Sequence, residues 1–207
     1  MKIAVITDNE LKKELLAQGV QDSVQVQWLD KPTAVEKADC YIDLLFEPSA
    51  ERINNLVELC HGIIIINAVT DTLNGLPEKF VRINGWATFL KRTIVEASCR
   101  DSEIKEAAGR IFSYFNRKTE WTPDVSGFIS ARVVSMIINE AYFTLEENVS
   151  SKTEIDTAMK LGTNYPYGPF EWSEKIGLKN VYELLMKMAQ TNSRYEPCAL
   201  LKKEIAG

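Results

Sequence analysis

The feature that most constrains this chain is a change of hydrophobic period partway along it. As far as Ala97, short β-branched runs recur between amphipathic stretches: Lys2 to Thr7, Val24 to Leu29, Cys40 to Leu45, Ile63 to Asn67, Val81 to Ile83 and Thr93 to Ala97. That alternation predicts a parallel sheet flanked by helices, because parallel neighbours need crossover connections. Two of the intervening stretches read clearly as helices. Asn9 to Gln18 places Leu11, Leu15 and Leu16 on one face and reaches a glycine C-cap at Gly19. Ser49 to Leu59 starts on a serine N-cap and turns Ile53, Leu56, Val57 and Cys60 inward.

Beyond Thr93 the period lengthens. A helix is expected over Asp101 to Phe115, then an extended segment from Lys118 to Thr122 and a break at Pro123. From Ser126 onward the pattern is helical throughout. Val125 to Asn148 reads as one long helix with Phe128, Ile129, Val133, Val134, Ile137, Ile138, Ala141, Tyr142 and Leu145 spread round most of its circumference. Such a helix sits at the centre of a bundle or in an oligomer interface. Further helices are expected at Lys152 to Leu161, Phe170 to Ile176 and Leu178 to Thr191. The domains predicted are 1–123 and 124–207.

Composition narrows the class. Among 207 residues, 45% are hydrophobic and 26% charged, and the net charge is −5. These values fit an ordinary globular chain, and no basic stripe supports a nucleic-acid partner. Met1 to Ile6 is too short for a signal-peptide core, and the apolar run Gly62 to Val69 is too short to span a bilayer, so a cytoplasmic protein without membrane association is expected. Cys40, Cys60, Cys99 and Cys198 stand far apart and read as reduced thiols.

Four segments, in order, resemble the 3-hydroxyacyl-CoA dehydrogenase family. They are Gly127-Phe128-Ile129 with Arg132; Asn139-Glu140-Ala141; the run Glu154 to Gly162; and Asn164-x-Pro166-x-Gly168-Pro169-x-Glu171. Ser193-Arg194-Tyr195 with Pro197, Leu200 and Leu201 is similar to the family's closing segment. In the first half, Ala38 to Asp43, Ile66 to Thr70 and Ile94 to Glu96 resemble the family's fourth-strand region, its polar strand end and its catalytic glutamate segment. The resemblance implies an α/β fold: a reduced Rossmann-like, mostly parallel sheet followed by an all-α C-terminal domain. It also implies C-terminal helices that dimerise and an N-terminal domain that carries a nicotinamide cofactor. Between Asp30 and Asp39 the family has a long helical excursion that helps to bind CoA, whereas only Lys31 to Ala38 stand here.

A dinucleotide site needs glycines after the first strand, so that the backbone can approach the pyrophosphate on a helix N-terminus. Thr7-Asp8-Asn9-Glu10 occupies that turn, and its two carboxylates repel phosphate. Asp30 ends the second strand where an NAD enzyme places its ribose-binding acid, although a turn aspartate before Lys31-Pro32 explains it as well. Oxidising a 3-hydroxyl needs a base, and the family uses a histidine oriented by a glutamate twelve residues later. Counting back from Glu96 reaches Asn84, an amide that does not accept a proton near neutrality. The single histidine, His61, precedes an apolar strand and reads as a loop residue. The substrate-polarising asparagine that follows Gly-Phe-Ile in the family is Ala131 here, while Asn67 and Thr70 retain polar chemistry at their strand end. Tyr165, Tyr167, Phe170 and Trp172 read as a rigid turn packed on the long helix, with Asn164 and Glu171 bracing it.

The family-equivalent catalytic positions are therefore Glu96, Asn67 and Asn84, with Asp30 as the cofactor-binding candidate and no metal site. The first expectation is a noncatalytic homologue without cofactor, homodimeric through its C-terminal helices and retaining a cleft for an acyl-CoA. The alternative is an active NAD-dependent 3-hydroxyacyl-CoA dehydrogenase of fatty acid metabolism with a divergent site. A third reading is an accessory subunit that pairs with a full-length dehydrogenase.

Overall fold

A computed structural model describes residues 1–206. The chain divides into two compact units, Met1–Phe128 and Ile129 onward. In the first unit, β1 (Lys2–Ile6), β2 (Gln25–Leu29), β3 (Cys40–Asp43), β4 (Ile63–Asn67), β5 (Phe80–Ile83), β6 (Ile94–Ser98) and β7 (Lys118–Trp121) form one sheet in the order β2-β1-β3-β4-β5-β6-β7. Every neighbouring pair is parallel except β5 with β6.

Successive strand residues point to opposite faces, so the apolar runs feed two cores. On one face Ile3, Val5, Ile42, Ile65, Val81 and Ile83 pack with Leu15 of α1 (Asn9–Leu16) and with Ala108, Ile111 and Phe112 of α3 (Ser102–Tyr114). On the other, Ala4, Ile6, Tyr41, Ile64, Ile66 and Phe80 pack with Leu56 of α2 (Ala50–Leu59). The three helices are N-capped by Asp8, Ser49 and Asp101, whose side chains accept backbone N–H bonds from the first turn.

The connection from β2 to β3 is short and has no helix. It closes through Tyr41, whose buried hydroxyl donates to Thr33 O at 2.9 Å and accepts from Val35 N at 2.9 Å. The loop between β5 and β6 is held from α1. The Glu14 carboxylate accepts Thr88 N at 2.7 and 2.9 Å, which secures a non-glycine residue at φ 77°. Buried Arg117 donates to Glu14 O, Leu90 O and Phe115 O, and burial lowers its pKa to about 10.

The second unit contains α4 (Ser130–Glu146), α5 (Lys152–Thr163), α6 (Pro169–Ile176), α7 (Leu178–Ala189), a 3-10 turn at Ser193–Tyr195 and α8 (Ala199–Ala206). The long helix starts at Ser130 instead of Val125. Gly127 at φ 86° and Phe128 at φ 49° are left-handed, a conformation that interrupts a right-handed helix although the apolar pattern runs through it. Ala131, Val134, Ile138, Ala141 and Tyr142 form its buried face, while Ile129, beside its start, and Val133 and Phe143 within it are exposed.

The family-like segments of this unit are its fasteners. Asn139 uses both ends of its amide, donating to Glu196 O at 3.0 Å and accepting Cys198 N at 2.9 Å, and so fixes the closing segment. Arg132 reaches the Tyr195 hydroxyl at 3.1 Å. Ser151 and Glu154 form a reciprocal capping box on α5. Asp156 accepts Phe170 N at 2.8 Å and Glu171 N at 3.1 Å, supplying the cap of α6 from a neighbouring helix. A Cβ on Gly168 would lie 2.3 Å from the Asp156 carboxyl carbon, so glycine there is what admits Asp156. Glu171 turns back to accept Gly168 N at 3.0 Å and pairs with Lys160.

Candidate functional site

Parallel strands present their carboxyl ends, and the loops that follow them, at one side of the sheet, which is where open α/β sheets take ligands. At the end of β5 the structure brings Asn84 and Glu96 together. Their backbones pair, with Asn84 N donating to Glu96 O at 3.0 Å, and their side chains meet, with Asn84 Nδ2 donating to Glu96 Oε2 at 3.0 Å. A carboxylate only accepts, so this bond fixes the amide's orientation. It leaves Asn84 Oδ1 buried with no partner among the described residues, and Asn84 itself is 3% exposed. Burial pushes the Arg92 guanidinium down, and the charge of Glu96 opposes that shift.

Asn67 at the end of β4 is committed on both sides. Its Nδ2 donates to Leu44 O at 3.2 Å and its Oδ1 accepts Gly85 N at 3.0 Å. Gly85 has no room for a side chain, since a Cβ would stand 2.8 Å from Asn67 Cγ. Asn67 therefore acts as a brace that sets the backbone beside Asn84. Asp30 lies elsewhere, in an exposed bend after β2, and His61 is exposed before β4. Ala131 is fully buried on α4.

The turn after β1 shows whether a dinucleotide fits. Asp8 Oδ1 accepts Leu11 N at 2.8 Å, so the N-terminus of α1 is already capped by a carboxylate of the chain itself, with Glu10 in the first turn. A diphosphate there would meet like charge instead of free N–H groups, so these residues do not fit a dinucleotide.

Three features carry no local sequence signal. One is the Glu14 clasp on Thr88. The second is Asp43, buried at the end of β3 and paired with Arg52 at 2.7 Å; burial raises its pKa and Arg52 opposes the rise. The third is Arg82, fully buried on β5. Its Nε lies 2.7 Å from Asp124 Oδ1, its other nitrogens donate to Ala68 O, Asp71 O and Val125 O, and its guanidinium stacks on the Phe128 ring at 4.2 Å. Asp124 in turn accepts Leu73 N, and Gly127 N donates to Val69 O at 2.8 Å. Among the described residues no group of His, Cys, Asp and Glu is placed to hold a metal ion, and no helix is long and apolar enough to cross a membrane.

The architecture is thus a mostly parallel Rossmann-like sheet, followed by an all-α unit fastened by Asn139, Asp156 and Gly168. Over residues 127–206 the chain matches the family model described as 3-hydroxyacyl-CoA dehydrogenase, C-terminal domain, and it is similar to members of that family along its length. It is 28% identical to the 3-hydroxybutyryl-CoA dehydrogenase of Bradyrhizobium diazoefficiens over 98% of this chain and 76% of that one. Against the 3-hydroxyadipyl-CoA dehydrogenase of Escherichia coli it is 44% identical over 39% of this chain, a match that spans only 17% of the relative. The crystal structure of an (S)-3-hydroxybutyryl-CoA dehydrogenase from Ralstonia eutropha superposes with a TM-score of 0.76, covering 99% of this chain and 93% of that one at 16% identity, which establishes the shared fold.

Proposed function

We propose that this chain is a noncatalytic member of the 3-hydroxyacyl-CoA dehydrogenase group, without a bound nicotinamide cofactor and dimeric through its C-terminal helices. The observation that carries the reading is the Asn84–Glu96 bond. It sets an amide where the family spacing calls for a base, and an amide exchanges no proton near neutrality. The self-capped turn at Asp8 and the alanine at position 131 support the same reading. Exposed Ile129, Val133 and Phe143 on and beside α4 supply apolar surface for a second copy, and an acyl-CoA is the ligand class that the family relationship supports.

Titration with NADH followed by fluorescence, together with an acetoacetyl-CoA reduction assay, tests the reading. No saturable binding at micromolar cofactor and no turnover above the enzyme-free control are expected. Saturable binding with turnover establishes the second reading, an active NAD-dependent 3-hydroxyacyl-CoA dehydrogenase with a divergent site. The retained carboxylate of Glu96 and the similarity to the Bradyrhizobium enzyme over 98% of this chain favour that alternative.

A further inference from the structure

In the usual doubly wound sheet a third strand lies outside the second. Here the chain returns from β2 directly to β3 on the far side of β1, which leaves β2 as a sheet edge. Its sequence is Gln25-Val26-Gln27-Trp28-Leu29, with no charge and no proline. Edges without such guards are templates for another strand. The opposite edge, β7, carries Lys118 and Glu120 within the strand.

The hydrogen-bond parity of β2 is fixed by its ends. Gln25 N donates to Met1 O at 3.0 Å and Thr7 N donates to Leu29 O at 2.9 Å, so Gln25, Gln27 and Leu29 bond inward to β1. In a parallel ladder the alternate residues then point their N–H and C=O groups outward. Those residues are Val26 and Trp28, and no other strand takes their outer side among the described residues. They stand symmetrically about Gln27.

We infer that β2 is a self-pairing edge, on which two copies of this chain join antiparallel about a two-fold axis at Gln27. In that register Val26 faces Trp28 of the second copy, and each pair exchanges both of its N–H···O=C bonds. Gln27 faces its own copy in the non-hydrogen-bonded position, where side chains come closest and these are uncharged. Val26 against Trp28 is a β-branched–aromatic pair, a favourable cross-strand match. Carried past the strand ends, the same register sets Lys31 opposite Ser23 and next to Asp22 of the second copy, which is opposite in charge, and Asp30 opposite Val24. This contact is separate from the helical face.

Amide exchange at micromolar and millimolar protein tests the pairing. The Val26 and Trp28 amides should slow by about tenfold or more at the higher concentration, whereas those of Gln25, Gln27 and Leu29 stay protected at both. Gln27→Lys puts like charges face to face on an exposed residue, and should abolish the slowing and halve the mass seen by light scattering. In a Cys99→Ser background, Gln27→Cys should form a disulfide-linked dimer with oxidised glutathione and Gln25→Cys should not, because only position 27 meets itself. Equal exchange rates at both concentrations, or equal crosslinking from positions 25 and 27, overturn the inference. A mass that falls with Val133→Asp but not with Gln27→Lys assigns association to the helices and also overturns it.

Discussion

Replacing Gly168 by alanine should unfasten α6. The backbone at φ −74°, ψ 166° suits any residue, so the whole effect comes from one contact. The added Cβ would stand 2.3 Å from both Cγ and Oδ1 of Asp156 and 2.4 Å from its Cβ, which forces that side chain away. Asp156 then loses its bonds to Phe170 N and Glu171 N. Hydrogen bonds to a charged group contribute roughly 1.5–3 kcal/mol each, so a loss of about 3–6 kcal/mol is expected. At roughly 2–4 °C per kcal/mol for a chain of this size, the helical unit should melt about 6–24 °C lower. Far-UV circular dichroism reads the helices directly, and Trp172 fluorescence reports the same unit. A double-mutant cycle with Asp156→Gly, which removes the Cβ together with the carboxylate, sharpens the test. If Gly168 acts only by admitting Asp156, adding Gly168→Ala to that variant should cost less than about 1 kcal/mol. A Gly168→Ala midpoint within about 3 °C of the parent, or full additivity with Asp156→Gly, would refute the reasoning.

Other outcomes follow from the same geometry. Arg82→Leu strands Asp124 and the carbonyls of Ala68, Asp71 and Val125, and should lower stability in urea by about 3–5 kcal/mol. Tyr41→Phe leaves Val35 N without its acceptor, costs about 1–3 kcal/mol, and should speed limited proteolysis between Lys31 and Asp39. The Ser151 hydroxyl holds Glu154, and Lys160 holds Glu171, below the ordinary carboxylate value of 4.5. Folded values below the unfolded ones mean that this stabilisation is complete above about pH 4.5 and is lost as pH falls through the folded values. The pH dependence of the helical signal should therefore flatten below pH 4.5 in the Glu154→Gln, Glu171→Gln double variant.

The sequence showed the seven extended segments of the sheet in order, and which contacts it showed besides has a physical reason. Gly168 and Glu171 act across three positions, so spacing exposes the brace at that turn. Asn84 with Glu96 was legible only because a family spacing directed attention to it, and its bond then followed from strand pairing. Nothing local connects Glu14 to Thr88 or Arg82 to Val125, since those contacts are made by folding across 74 and 43 positions. The long helix starts at Ser130, later than its apolar pattern suggests, because hydrophobic period ignores φ. Gly127 was the visible warning, and Phe128 follows it into left-handed space. The last helix, Ala199–Ala206, is not among the helices expected from the sequence.

The buried cation of β5 also decides where this chain could be cut. A fragment ending at Pro123 would lack Asp124, Val125 and Phe128, leaving Arg82 without its counter-ion, an acceptor and the ring it stacks on. One ending at Phe128 would keep all three. The residues that look like linker therefore serve as the closing piece of the sheet's own interior, and an autonomous first domain must include the very glycine and phenylalanine by which the following domain is recognised in sequence.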